Sequence, residues 1–574
     1  MRNSKQVTLR RQYISRFYKG NRLAYFVMLL SATLISALNL VVSWLLQQMI
    51  DTVSGVPGSF EISVLAVLTV VVIFLIIPLK ALNYLSMPRF MKKAMSQFKN
   101  FMFQKLTQKN IASFRNEAIS VYLSAFSNDL AAIEVNFLEK QYALVFNIVW
   151  AAGAMILMLM YSPMLTLVAI GFFILPIIAS MIAGTFLEKA EKAVSERNAA
   201  FIASLKDILS GFSVIKSFRA EEAAIGLLEQ SNTAVENAKC QKRKISTVLS
   251  TIGGVAGLTA QLGTFLIGAV LALSGWGITP GILMVFLELT AAVINPIHEL
   301  PELLANRKAA GALIDKMVLS LEANVRDEGT DIPNLLDKGI SIQHLSFGYE
   351  PDNEILHDID ICFDAGKSYA IVGSSGSGKS TLLNLLMAAR HDYTGSICFD
   401  EAELQEISSR SLYELVSIIE QNVFVFNASI RDNITMFRDF PKKDVDNAIA
   451  LSGLSELIAQ HGEDYLCGEN GGALSGGEKQ RVSIARSLLQ KSSVLLADEV
   501  TAALDAQTAY QVTGDILKLD GITRIIVTHA LVESLLRQYD GIIVLKDGYV
   551  VENGTFEQLM EKKGYFYALY TVAQ

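Results

Sequence analysis

Long apolar stretches fill the first half of the chain, and short apolar runs alternate with helix-like segments in the second half. A helix that crosses a bilayer needs about 20 predominantly apolar residues. We therefore predict six membrane spans, at residues 23–50, 62–85, 141–161, 163–186, 247–274 and 279–304. The third and fourth spans are separated only by Tyr161-Ser162-Pro163, which indicates a tight hairpin; one over-long span is the alternative interpretation.

The distribution of Lys and Arg predicts the orientation. The first 22 residues carry seven basic side chains and no acidic one, whereas the loops at 51–61 and 275–278 carry no Lys or Arg. Because cytoplasmic loops of membrane proteins are enriched in these residues, the N-terminus is expected to be cytoplasmic. With six spans, the second half of the chain is then cytoplasmic too.

A change in composition marks the domain boundary. We predict a transmembrane domain at 1–315, a polar linker at 316–338 and a second domain at 339–574. In the second domain, runs such as SYAIVG, SVLLAD and RIIVTH alternate with helical stretches. Strands that alternate with helices indicate an α/β domain with a largely parallel sheet. The predicted fold is thus a polytopic α-helical membrane domain followed by an α/β domain.

Composition narrows the classes of partner. Of 574 residues, 51% are hydrophobic and 18% are charged, against about 25% charged in typical soluble domains. The net charge of -7 argues against nucleic acid as a partner, because nucleic-acid binding needs a basic surface. The four cysteines lack paired metal-ligand spacing, so we interpret them as reduced thiols.

The first motif with chemistry is GSSGSGKST, at 373–381, which follows an apolar strand and precedes a helical run. It fits the G-x-x-x-x-G-K-S/T phosphate loop, in which backbone N–H groups and a helix N-terminus surround phosphate oxygens. Lys379 would contact the β- and γ-phosphates of ATP, and the Ser380 hydroxyl would bind Mg²⁺. The predicted ATP-binding residues of this loop are Gly373, Ser374, Ser375, Gly376, Ser377, Gly378, Lys379, Ser380 and Thr381.

The second motif is SVLLADEV, an apolar strand that ends in two acids. Asp498 emerges at the carboxyl end of the strand, where α/β sheets bind their ligands, and would hold Mg²⁺. Glu499 would orient and deprotonate the water that attacks ATP. Standing alone, the acid pair would fit an ordinary surface turn, but a phosphate loop upstream favours the functional interpretation.

A second glycine-rich turn, GGALSGGEKQR at 471–481, leads into an amphipathic helical pattern at 478–490. Its exposed N–H groups and the helix dipole would make this turn an anion site. The domain's own ATP would already occupy 373–381, so this second anion site needs another explanation.

The order of the motifs resembles the nucleotide-binding domain of ABC transporters: the phosphate loop, EQNVF, LSGGEKQR, LLADEVTAALD and IIVTHA. Six predicted spans before this domain, with LKDILSGFSVIKSFRAEE at 205–222, resemble the exporter-type (type IV) subclass. The resemblance implies that Tyr349 stacks on adenine, and that Gln421 binds both ATP and Mg²⁺. It also implies that His529 contacts the γ-phosphate and supports Glu499.

The same resemblance explains the second anion site. Ser475, Gly476, Gly477 and Glu478 are expected to bind ATP that is held by a partner subunit, so that two domains enclose two nucleotides. The chain is then a half-transporter, which must pair with itself or with a similar chain. Short helices near 109–121 and 208–218 are expected to transmit movement between the ATPase and the spans.

Three positions depart from the family pattern. Glu478 stands where Gln is usual, Ala502 replaces a serine in the loop after Glu499, and Ala125 replaces an arginine of the first cytoplasmic loop. None of the three removes a predicted catalytic group, so an active ATPase is still expected.

The expected function is ATP-driven export of a hydrophobic or amphipathic small molecule, lipid or peptide across a cell membrane, in bacteria the plasma membrane. Glu288 lies in the middle of the sixth span, where an ionisable group suggests substrate contact; a carboxylate wetted by the cavity, or paired with Gln261, is the alternative. An exporter-fold importer, for example of siderophores, and an ATP-gated regulatory or channel protein remain alternative functions. The six spans exclude a soluble kinase.

Overall fold

The computed structural model describes residues 2–115, 117, 119–322, 329–350, 353–500 and 504–573. The chain divides into two compact units. The first contains Met1–Leu106 and Ile119–Glu322, and the second contains Thr107–Ala118 and Ala323–Gln574. A short segment of the first half of the sequence therefore belongs to the unit formed by the second half.

The first half of the chain is helical. Two π-helical turns, Ala125–Asp129 and Glu134–Glu139, flank α6. The α-helices in chain order are α1 (Arg2–Tyr18), α2 (Arg22–Val53), α3 (Ile62–Leu106), α4 (Ile111–Arg115), α5 (Ile119–Ser124), α6 (Leu130–Ile133), α7 (Lys140–Tyr161), α8 (Pro163–Ser210), α9 (Phe212–Ser217), α10 (Glu221–Leu273) and α11 (Pro280–Glu322).

Among the described residues, five helical runs are long and apolar enough to cross a membrane: α2, α3, Val121–Tyr161, α10 and α11. A shorter apolar helix covers Pro163–Ile178, within the fourth predicted span. Several large apolar side chains of α3 are exposed, among them Val67 at 64% and Phe74 at 67%. A bilayer would cover such side chains, whose contact with water is unfavourable.

The turn between α7 and α8 lies at Ser162. The Ser162 hydroxyl accepts a hydrogen bond from the backbone N–H of Leu165 at 3.3 Å, and Pro163 occupies the first turn of α8. A serine cap followed by proline is a typical helix start, because proline lacks the N–H that a helix leaves unpaired there. Local sequence thus defines this helix start.

The second unit contains two sheets. One has four strands in the antiparallel order β2-β1-β4-β5, and the other has six strands in the order β10-β9-β3-β8-β7-β6. The strands are β1 (Gly339–Glu350), β2 (Asn353–Asp364), β3 (Ser368–Gly373), β4 (Thr394–Phe399), β5 (Ala402–Glu403), β6 (Val416–Ile419), β7 (Val494–Asp498), β8 (Thr523–Val527), β9 (Gly541–Lys546) and β10 (Tyr549–Gly554).

Most helices of the second unit lie between these strands, and the last two follow β10. In chain order they are α12 (Lys379–Leu386), α13 (Ser409–Leu415), α14 (Ile430–Thr435), α15 (Lys442–Leu451), α16 (Ser455–His461), α17 (Gly476–Gln490), α18 (Ala506–Leu517), α19 (Glu533–Leu536), α20 (Phe556–Lys562) and α21 (Tyr565–Ala573).

Strand order in the six-stranded sheet determines where the motifs meet. Strands β9, β3, β8, β7 and β6 are parallel neighbours, and only the edge strand β10 is antiparallel. The carboxyl ends of parallel strands lie along one edge of a sheet. The segments that follow β3, β6, β7 and β8 therefore gather at that edge.

The predicted fold class, a helical membrane domain followed by an α/β domain with a largely parallel sheet, is confirmed. The four-stranded antiparallel sheet was not predicted. Helix α11 continues to Glu322, into the segment predicted as linker, and residues 323–328 of that segment lie outside the described residues.

Candidate nucleotide site

The phosphate loop follows β3 and leads into α12. Gly376 and Gly378 have φ of 80° and 95°, a backbone conformation that glycine adopts without strain. A Cβ at Gly378 would also lie 2.5 Å from the Leu356 Cδ2 atom of β2. Both the conformation and the close approach of β2 thus require glycine at this position.

Lys379 is 5% exposed, and its ammonium group donates hydrogen bonds to the carbonyls of Gly373 (3.0 Å) and Ser374 (2.7 Å). Burial lowers the pKa of Lys379, while the carboxylates of Glu499 and Asp498 raise it. A desolvated ammonium gains more from a phosphate anion than an exposed one does. Lys379 is therefore well placed to bind an anion at the loop.

Asp498 ends β7, and its Oδ1 accepts a hydrogen bond from the Ser380 hydroxyl at 3.1 Å. Burial raises the pKa of the Asp498 carboxyl, and the Ser380 hydroxyl opposes that shift. Hard oxygen ligands from a hydroxyl and a carboxylate suit Mg²⁺, which keeps several waters and binds few protein groups. In addition, the buried Ser377 hydroxyl of the loop has no hydrogen-bond partner among the described residues. These residues fit a Mg²⁺–nucleotide ligand.

Glu499 contacts side chains from the two neighbouring strand ends. The Gln421 amide donates to Glu499 Oε2 at 2.6 Å, and His529 Nε2 lies 2.9 Å from Oε1. Gln421 follows β6 and His529 follows β8, on either side of β7. The order of the strands, not proximity in sequence, thus brings the three predicted residues into contact.

The backbone of Glu499 is also fixed. Its φ of 49° is unfavourable for a residue with a side chain. The Glu499 N–H donates to the Val527 carbonyl at 3.1 Å, and the Glu499 carbonyl accepts from the Gln480 amide at 3.1 Å. Gln480 is 3% exposed and lies on α17. Gln480 lies within LSGGEKQR, but no sequence pattern marks it as a contact of Glu499.

Tyr349 lies near the end of β1 and is 51% exposed. Strand register pairs its neighbour Phe347 with Leu356, the residue that approaches Gly378 of the phosphate loop. The Arg390 guanidinium lies 5.8 Å from the Tyr349 ring centroid. An exposed ring beside the strand that supports the loop is suited to stacking on a base.

The LSGGEKQR motif (the signature segment) leads into α17. Ser475 caps this helix: its hydroxyl accepts from the Glu478 N–H at 3.3 Å, and Glu478 Oε2 accepts from the Ser475 N–H at 2.7 Å. This reciprocal arrangement is a capping box. Gly476 and Gly477 form the first two residues of α17, so the signature does present a helix N-terminus, with the carboxylate of Glu478 close to it.

Of the three positions that depart from the family pattern, Ala125 and Ala502 do not belong to α17. Ala125 begins a π-helical turn whose last residue, Asp129, pairs with Lys316 at 3.1 Å in the membrane unit. Ala502 lies outside the described residues.

Glu288 lies in the membrane unit, on the wall of a cavity of about 370 Å³. Gln261 of α10 lines the same cavity, and among the described residues neither side chain has a hydrogen-bond partner. The remaining lining residues are apolar and come from α2 and α11: Leu46, Ile50, Met284, Val285 and Leu287. The cavity is thus mostly apolar, with one carboxylate and one amide.

Two family models match the chain. The ABC transporter transmembrane region matches residues 25–297, and the ABC transporter model matches residues 356–502. A solved structure of a bacterial Atm1-family ABC exporter with ATP bound superposes with a TM-score of 0.83, over 97% of this chain and 98% of that one, at 22% identity. At this identity the likeness establishes the fold.

Curated relatives agree with both models. The uncharacterised ABC transporter ATP-binding protein YwjA of Bacillus subtilis is 29% identical over 82% of each chain. The ATP-dependent lipid A-core flippase of Legionella pneumophila is 31% identical over 64% of this chain and 63% of its own length. That of Desulfotalea psychrophila is 25% identical over 96% of this chain and 97% of its own.

The family predicted from the ordered motifs is thereby confirmed, and the chain is a multi-pass membrane protein. It belongs to the ABC transporter family, as an exporter-type half-transporter that carries its membrane domain and its ATP-binding domain in one polypeptide.

Proposed function

We propose that two such chains form an exporter that hydrolyses ATP at their interface and moves a hydrophobic or amphipathic cargo out of the cell. The observation that carries the proposal is the contact of Glu499 with Gln421 and His529, beside the Ser380–Asp498 pair. ATP-dependent transport follows from the family, and this chain's own residues would supply the groups for each step.

Binding would involve the phosphate loop and Tyr349. Loop N–H groups and Lys379 would hold the β- and γ-phosphates, and Tyr349 would stack on adenine. Ser380, Gln421 and Asp498 would hold Mg²⁺, which neutralises charge that develops on the phosphate oxygens. In a closed pair, the N-terminus of α17 would face the ATP held by the partner subunit, through Ser475, Gly476, Gly477 and Glu478.

Hydrolysis would begin at Glu499. Its carboxylate would accept a proton from water as the water oxygen attacks the γ-phosphorus and the bond to ADP breaks, which yields ADP and phosphate. His529 and Gln421 would hold the carboxylate and contact the γ-phosphate. Since each nucleotide would add contacts only in the closed pair, ATP binding would favour closure and hydrolysis would allow reopening.

The cargo is proposed from the cavity and from the relatives. A mostly apolar cavity that contains Glu288 and Gln261 suits an amphipathic molecule with a positive or hydrogen-bond-donating group. Relatives described as lipid A-core flippases support a lipid-like cargo. The N-terminus and the ATPase domain would face the cytoplasm, in a bacterial plasma membrane.

Substitution of Glu499 by glutamine tests the catalytic assignment. The purified chain in lipid is expected to hydrolyse ATP, and Glu499→Gln to lower kcat by about 10²–10⁴-fold, because the general base is lost. ATP binding, measured with a fluorescent analogue, should persist. Turnover at the wild-type rate in this variant would contradict the assignment, and transport into inside-out vesicles will distinguish export from import.

A further inference from the structure

One arginine in the second unit contacts two residues that lie next to the nucleotide site, Asn384 and Glu420. Arg115 is the last residue of α4, in the segment 107–118 that packs with the ATP-binding domain. We propose that Arg115 is a positioning residue through which this segment sets the geometry of the ATP site. The proposal rests on the proposed ATPase function and adds a residue that lies outside the sequence motifs of the ATP-binding domain.

The contact of Arg115 with Asn384 leads to Ser380 and Asp498, the pair proposed to bind Mg²⁺. Arg115 Nη1 donates to Asn384 Oδ1 at 3.2 Å. The Asn384 amide in turn donates to the Ser380 carbonyl at 2.8 Å, one turn earlier on α12. Because the Ser380 hydroxyl donates to Asp498, three consecutive hydrogen bonds connect Arg115 with the carboxylate at the end of β7.

The contact of Arg115 with Glu420 leads to the carboxylate of Glu499. Arg115 Nη2 lies 3.3 Å from Glu420 Oε1, in an ion pair. Glu420 directly precedes Gln421, whose amide donates to Glu499. A shift of Arg115 would thus move the residue next to Gln421, and with it the amide that holds Glu499.

Helix α4 is itself fixed to the domain. The Ile111 N–H donates to the Tyr413 hydroxyl at 3.3 Å, and the Asn110 side chain accepts from the Ser113 N–H at 2.8 Å. Ala112 and Ser113 are buried. Contacts other than those of Arg115 thus also hold α4 against the domain.

The chemistry of the contact requires arginine. A guanidinium donates from several nitrogens in a planar fork, whereas an ammonium is a single point of charge. The side chains of Arg115 and Glu420 are 48% and 53% exposed, so the pair is expected to contribute little to stability. A loss of activity without a loss of stability would therefore report positioning.

The experiment uses the full chain in lipid nanodiscs and compares Arg115→Ala, Arg115→Lys and the control Arg410→Ala. Arg410 pairs with Glu414 on α13 of the same unit. We expect Arg115→Ala to lower kcat about tenfold with KM for ATP and Tm nearly unchanged, the lysine variant to be intermediate, and the control to match wild type. Amide hydrogen exchange at 420–422 should also accelerate in Arg115→Ala.

Reversal of the two charges tests the role of the Arg115–Glu420 ion pair. Arg115→Glu and Glu420→Arg should each lower kcat, and the double variant should recover most of the loss, because it restores the ion pair. Wild-type kcat and hydrogen-exchange rates in Arg115→Ala would overturn the proposal. A folded double variant whose kcat does not recover would show that the Arg115–Glu420 ion pair does not contribute. If the wild-type chain itself hydrolyses no ATP, the proposed function fails instead.

Discussion

At the scale of single residues, Glu499 illustrates how a site residue is held in an unfavourable conformation. Its left-handed backbone is stabilised on both sides, by the Val527 carbonyl and by the Gln480 amide. Such conformations persist where the surroundings overdetermine them, and they concentrate at functional sites. Gln480 also links the backbone carbonyl of Glu499 to α17, so this helix and the residue proposed as general base share a contact within one chain.

The charge of Glu478 also matters at the residue scale. Its carboxylate lies at the N-terminus of α17, where the partner's phosphates would bind, and partly cancels the positive end of the helix dipole. Glutamine can form the same capping box without the negative charge.

We therefore expect Glu478→Gln to lower the ATP concentration for half-maximal hydrolysis about fivefold, since a like charge at the helix N-terminus opposes binding by ~1 kcal/mol. ATPase titrations in lipid measure this shift. Glu456→Gln, which removes an acid from the first turn of α16, is the matched control and should leave the titration unchanged. An unchanged or higher half-maximal concentration in Glu478→Gln would show that the carboxylate does not oppose the partner's ATP.

At the scale of elements, the junction of α2 and α11 is held by a buried carboxylate. Asp51, 3% exposed, accepts hydrogen bonds from the Gly281 N–H and the Thr279 hydroxyl, each at 2.8 Å, and from the Gln47 amide. Asp51 thus caps α11 from another helix, at the ends of the two helices that line most of the cavity.

Gly281 permits this close approach. A Cβ at Gly281 would lie 2.3 Å from the Gln47 carbonyl oxygen and 2.7 Å from Asp51 Oδ1. Gly281→Ala should therefore destabilise the protein by about 1–3 kcal/mol, because α2 and α11 must separate. Thermal unfolding in detergent measures the change. Gly226→Ala on α10, where no atom lies within 4 Å of the new Cβ, should be neutral or stabilising; an equal Tm in both variants would refute the packing argument.

At the scale of the whole molecule, the cavity proposed for cargo and the proposed ATP site lie in different units, so cargo would act on hydrolysis through the segments that connect them. Glu288 provides a test of that coupling, because it lines the cavity in the first unit, whereas the phosphate loop belongs to the second unit.

Glu288→Gln is expected to raise the concentration of a cationic amphiphile that half-maximally stimulates ATPase by about tenfold, since a charged hydrogen bond is lost. An uncharged amphiphile should be affected less than about twofold. Stimulation curves in nanodiscs measure both, with Glu61→Gln in the loop after α2 as a control for loss of charge. Equal shifts for both amphiphiles would argue against a direct contact of Glu288 with the cationic group.

The family and the fold class were predictable from the sequence because their signals are local. A glycine-rich loop between a strand and a helix and an apolar stretch of bilayer length each depend on neighbouring residues. A change in composition, together with strand runs that alternate with helical stretches, then separated a membrane half from an α/β half. The order of five motifs was sufficient to identify the family, which the comparisons confirm.

Tertiary structure decided which residues meet. Gln421, Glu499 and His529 converge because β6, β7 and β8 are adjacent parallel strands, and strand order is a long-range property that no local pattern encodes. The same holds for Gln480, for Asp51 beneath α11, and for Arg115, which joins the ATP-binding unit although it precedes the phosphate loop by more than half of the membrane domain. Motifs and hydrophobic periodicity depend on residues that are close in sequence, whereas contacts between distant segments depend on how sheets and helices pack.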